Sequence, residues 1–182
     1  MSRRIAAYAL GAALFLAGWF LHAPVPQTVH AAALTPADGH TIHVTAPHIL
    51  NGKVMGPYHH YCKPVSADVL ECLIYESTEP NALLKQVEYF ISKKVTRNNV
   101  SRADWNRLYH DHAVEIAGGR VKVLDVPPDQ AKKIADAAAQ TDGIIFHLWW
   151  PDDGKVPSGT VMHPQAVGHK DLSPAEYVAS QK

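Results

Sequence analysis

The sequence predicts an α+β domain with a mainly antiparallel sheet and two to three helices. Three observations carry that reading. Strand-like stretches outnumber helix-like ones, the connections between them are short, and two successive strands are joined with no room for a crossover helix.

Taken in order, the alternation in Thr41-Ile42-His43-Val44 predicts a short strand within His40 to Ile49, and Asn51-Gly52 a turn. Gly56-Pro57 punctuates the chain before Tyr58-His59-His60-Tyr61-Cys62. Val69 to Tyr75 reads as a strand buried on one face and largely apolar on the other. Val87-Glu88-Tyr89-Phe90-Ile91-Ser92 is its antiparallel neighbour, joined through Glu79-Pro80-Asn81-Ala82. Ser101 is an N-cap with Asp104 three residues on, so Arg102 to about Tyr109 is expected to be a short helix. His110 to Ile116 is expected to be a strand, with Gly118-Gly119 turning into a hairpin partner over Arg120 to Leu124. Pro127-Pro128-Asp129 opens a helix over Gln130 to Gln140, with Ile134, Ala137 and Ala138 as its apolar stripe. Asp142-Gly143 is expected to end that helix, and Ile144 to Trp150 to form a strand. Pro151 to Pro157 is a turn, and Ser173-Pro174-Ala175-Glu176 caps a short C-terminal helix.

Ahead of this domain, Met1-Ser2-Arg3-Arg4 precedes an uncharged run from Ile5 to Leu21. Arginines before an apolar stretch form an export signal, because the helix partitions into the bilayer while the cations stay behind. Residues 1–33 are therefore expected to be a cleaved signal or an uncleaved anchor, and 34–182 a single globular domain outside the cytoplasm, periplasmic or extracellular. The full chain balances 17 basic against 17 acidic residues. Without Arg3 and Arg4 the remainder is mildly acidic, so nucleic acid is not expected as a partner. Two cysteines, Cys62 and Cys72, suit a disulfide in an exported protein, and two buried thiols on neighbouring strands suit them equally.

Four patches, namely His59-His60-Tyr61-Cys62-Lys63, Glu71 to Ser77, Val87-Glu88-Tyr89, and Trp105 with His110-Asp111-His112-Ala113-Val114-Glu115, resemble the oil-body-associated protein family. Ile145-Phe146-His147-Leu148-Trp149 is similar to that family's closing aromatic–histidine strand. The resemblance spans roughly His43 to Trp150 and implies association with lipid droplets in plant relatives, with no reaction to carry over. The export signal departs from the plant pattern, as does Tyr109 where many relatives have Trp. Plant relatives keep both cysteines in a reducing compartment, so the resemblance does not decide between disulfide and thiols.

Histidine is the compositional oddity, with 12 in the chain. In a strand, His110 and His112 point to one face and can share a divalent transition metal, with His147 or His60 completing the set. Parity then turns Glu115 away. A hydrogen-bonded histidine cluster without metal is the alternative reading. His59 lies beside the first cysteine, and Glu88 sits in an apolar strand where period two favours an outward carboxylate over a buried general base. Trp149 and Trp150 must face opposite ways in a strand, which exposes one of them as a rim for a lipid or membrane surface. No nucleophile elbow, P-loop or dinucleotide fingerprint occurs. Two functions therefore stand: a domain that binds an apolar ligand, lipid surface or partner, and a metal-binding protein or small metalloenzyme built on the His-x-His segment.

Overall fold

The computed structural model describes residues 36–181; the expected export segment, 1–33, lies outside them. Eight strands form one sheet: β1 (Ile42–Leu50), β2 (Lys53–Pro64), β3 (Val69–Tyr75), β4 (Leu84–Ser92), β5 (Tyr109–Asp111), β6 (Lys122–Leu124), β7 (Thr141–His147) and β8 (Gln165–Ala166). Their order is β5-β7-β4-β3-β2-β1-β6, with β8 also on β1, and every pairing is antiparallel. β8 also lies against β5, so the sheet curls into a half-barrel. The mainly antiparallel α+β expectation holds. The helix number does not: among the described residues there are α1 (Lys93–Asn99), α2 (Arg102–Leu108), α3 (His112–Ala117), α4 (Pro128–Ala138) and α5 (Pro174–Ala179).

Strand β2 runs through Gly56-Pro57 rather than starting after it, because the extra residue there is absorbed as a bulge between Ala46 and His48 of β1. Gly56 has φ 93°, and a side chain there would strike the Tyr58 backbone nitrogen at 2.7 Å, so glycine is required. A second bulge turns both Lys85 and Gln86 of β4 inward. Lys85 Nζ then lies 3.5 Å over the Trp150 ring and 2.9 Å from Glu76.

The segment after β5 departs most from expectation. The Asp111 side chain accepts the Ala113 N–H at 2.8 Å, capping a helix from His112 where a continuing strand was expected. The Gly118-Gly119 hairpin is therefore absent, and β6 pairs with β1 instead. Asp142 and Gly143 belong to β7, and that strand stops at His147, before Leu148-Trp149-Trp150. Ser101 and Ser173 do cap α2 and α5, the latter with a reciprocal Glu176 bond.

Two apolar clusters fill the concave face. Tyr58, Ile74, Ile145 and Trp150 form one; Cys62, Cys72 and Phe90 form the other, under Ala138 of α4. Cys62 and Cys72 are direct register partners on β2 and β3 and form a disulfide. On the opposite side of β7, Asp142 accepts two 2.6 Å bonds from Arg97, one from Trp105 Nε1 at 3.0 Å and one from Thr96 Oγ1. That buried carboxylate fastens α1 and α2 to the sheet. Trp105 is thereby a core residue.

Candidate metal centre

Between the two apolar clusters lies a polar layer. Glu88 is at its centre, on β4, in register with Cys72 on one side and Ile145 on the other. It is 1% exposed, which overturns the outward carboxylate expected from period two. His110 Nε2 lies 3.0 Å and His112 Nε2 3.2 Å from its Oε1, and His60 Nε2 lies 3.4 Å from its Oε2. His48 completes the group, its Nε2 3.1 Å from that of His60. Tyr58 packs on the His48 ring and Phe90 on the His112 ring, so the layer is closed by apolar side chains at both ends.

Local structure delivers each of these groups. His48 faces inward because the bulge on β2 keeps β1 in phase. His110 is the centre of three-residue β5, opposite Gly143. A Cβ at position 143 would lie 2.3 Å from His110 Nε2 and 2.4 Å from Glu88 Oε1, so only glycine leaves them room. Because a helix starts at His112, Glu115 sits one helical turn on and returns to the same side. It is 2% exposed with Oε2 3.7 Å from His110 Nε2, where strand parity predicted that it would face away.

The protons in the layer follow from the outer partners. Thr141 donates to the Ala138 carbonyl at 2.7 Å, so it accepts from His112 Nδ1–H, also at 2.7 Å. The Tyr58 carbonyl accepts from His60 Nδ1–H at 3.2 Å, and the Gln86 amide oxygen from His48 Nδ1–H at 2.6 Å. In each neutral ring this leaves a bare lone pair on Nε2. With that tautomer, acceptor faces acceptor between His48 and His60 and between His60 or His112 and Glu88, while His110, whose Nδ1 has no partner, can donate Nε2–H to Glu88 at 3.0 Å. Burial raises the Glu88 carboxyl; where His110, His112 and His60 instead donate Nε2–H to it, those hydrogen bonds more than offset burial and hold it well below the ordinary range. Burial, then the neighbouring His60, pushes His48 down to about 3, so its ring is neutral at pH 7. Burial pushes Glu115 up to about 7, and its Oε1 has no hydrogen-bond partner.

This donor set suits a divalent metal. Ions held at about 2.1 Å by imidazole and carboxylate place neighbouring donors about 3.0–3.4 Å apart. The observed separations, 3.0, 3.1, 3.2 and 3.4 Å, fall within that span. The outer Nδ1–H bonds are also the kind that orient metal-ligating histidines.

The expected site residues divide as follows. His110, His112 and His60 come together with Glu88. His147 does not join them; it bonds Asp153 at 2.9 Å. His59 lies on the other face, bonded to His43, which in turn bonds Asp125. Cys62 and Cys72 wall the site as a disulfide, and Trp149 is 41% exposed at the end of the sheet. His48 was missed, although Val44, Ala46 and His48 share an inward parity that Pro47 obscures.

Comparison with known proteins found curated relatives among plant oil body-associated proteins. Protein 1B of Arabidopsis thaliana is 34% identical over 102 residues, covering 56% of this chain and 42% of the relative. Protein 2B of Zea mays is 32% identical over 113 residues, covering 60% and 44%. Protein 2A of Zea mays is 34% identical over 112 residues, covering 59% and 44%. The chain thus spans less than half the length of these relatives. No solved structure matches. These relatives bear out the oil-body-associated resemblance, the family described as protein of unknown function (DUF1264) matches residues 34–180, and by that match this chain belongs to the DUF1264 family.

Proposed function

We propose that this domain binds a first-row divalent transition metal through Glu88 and the Nε2 atoms of its surrounding histidines. One observation carries the reading. Four imidazole Nε2 atoms and a carboxylate converge in a buried layer at metal-ligand spacing, and outer hydrogen bonds on Nδ1 turn the Nε2 atoms of His48, His60 and His112 toward the centre. Metal analysis of protein purified without a histidine tag, before and after loading with Zn²⁺ or Co²⁺, tests it. Bound metal that Glu88→Gln reduces at least tenfold is the expected result. Wild-type protein that retains no metal through gel filtration after loading would refute it.

A second reading has its own observation. Trp149, Val156 and Val161 are 41%, 71% and 57% exposed on one segment after β7. Such a rim suits an apolar ligand, lipid surface or partner. Sedimentation with phosphatidylcholine vesicles is expected to fall for Trp149→Ala; equal pelleting of both proteins sinks this reading. The Arg3-Arg4 flank and the apolar run after it support an exported location, checked by fractionating cells that express the full chain.

A further inference from the structure

We infer that the centre holds two metal ions bridged by Glu88, one between His48 and His60 and the other between His110 and His112. This rests on the metal reading above and adds its nuclearity. The donor atoms fall into two sets, His48-His60-Glu88 and Glu88-His110-His112, each mutually within 4.8 Å. The sets share Glu88 alone. Donors around one ion at about 2.1 Å can be no more than about 4.2 Å apart, so one ion does not take all five.

The carboxylate is oriented for a bridge. Its Oε1 faces His110 and His112, at 3.0 and 3.2 Å, while its Oε2 faces His60 at 3.4 Å. One oxygen for each histidine pair is how a bridging carboxylate spans ions about 3.5–4 Å apart. Glu115 adds a second carboxylate on the His110 side, buried, with one oxygen unpartnered. The second carboxylate offsets part of the charge that two divalent ions would bring. Gly143 supplies the space: a side chain there would occupy the position where His110 and Glu88 Oε1 meet.

The test is an anaerobic Co²⁺ titration of the full chain without a tag, followed by visible absorption and by metal counting after gel filtration. Two equivalents in wild type are expected, falling to one in His48→Gln/His60→Gln and to one in His110→Gln/His112→Gln. The wild-type count alone can refute the inference, with no folded variant needed, and the double variants then place the two ions. One equivalent would overturn the two-ion inference and leave the metal reading standing. None would overturn both. Two equivalents that survive in both double variants would place the ions elsewhere and also overturn it.

Discussion

Gly143→Ala is the sharpest probe of how tightly the polar layer is built. At an ordinary sheet position this change stabilises by about 0.4–1 kcal/mol, since alanine loses less chain entropy on folding. Here the new Cβ would sit 2.3 Å from His110 Nε2, 2.4 Å from Glu88 Oε1 and 2.5 Å from His110 Cε1, where ordinary contact begins at 3.4 Å. Each atom must withdraw by about 1 Å. Neither can go far, because His110 and Glu88 are each 1% exposed. Overpacking of that kind costs about 1–3 kcal/mol. Set against the entropic gain, the net loss is roughly 1 kcal/mol, or a fall in Tm of about 2–4 °C for a domain of this size. Calorimetry of the metal-free protein reads it, and metal retention is expected to fall in parallel. Gly39→Ala is the control, since its Cβ meets only Lys63 Cδ at 3.6 Å. A raised Tm for Gly143→Ala with metal binding intact would mean that the cluster is not packed against β7, and would refute the reasoning.

Three further outcomes follow from the same structure. Removing the disulfide with Cys62→Ala/Cys72→Ala opens a loop of sequence separation 10 and is expected to cost about 2–3 kcal/mol in urea denaturation. An unchanged midpoint would mean that the thiols are not joined. Arg97→Ala strands the buried Asp142 carboxylate and is expected to cost about 3–5 kcal/mol; a loss under about 1 kcal/mol would contradict the pairing. In metal-free protein, Glu115, raised from 4.5 to about 7, keeps a proton that the unfolded chain gives up, so its contribution declines by about 3 kcal/mol as pH rises through that window. His48, lowered from 6.5 to about 3, works the other way, and its contribution is lost as pH falls below 6.5. Glu115→Gln should therefore steepen the gain in stability from pH 5 to pH 8, and identical slopes in variant and wild type would count against the burial of that carboxylate.

Much of the sheet was legible because alternation and turn residues agree from His40 to Ser92. The site was only partly so, for reasons that lie in single residues. Glu88 has apolar residues on both sides, and a strand half-buried on each face does not say which way a carboxylate points. Val114 and Ile116 read as a strand, and one capping bond from Asp111 outweighs them. That switch changes the period from 2 to 3.6 and brings Glu115 inward. Asp142-Gly143 looks like a helix stop from local chemistry alone. Its glycine is needed for a long-range contact that no neighbouring residue reveals.

Asp142 and Gly143 also hold a consequence for how this chain can vary. They are consecutive on β7, so one serves the helical side of the strand and the next serves the donor layer. Thr96, Arg97 and Trp105 touch no donor atom, yet they set the position of the strand on which the donors depend. Drift among those helix residues is therefore filtered by chemistry on the far face. Substitutions there should be tolerated in pairs or not at all, and a survey of related chains would find Arg97 and Asp142 changing together more often than either changes alone.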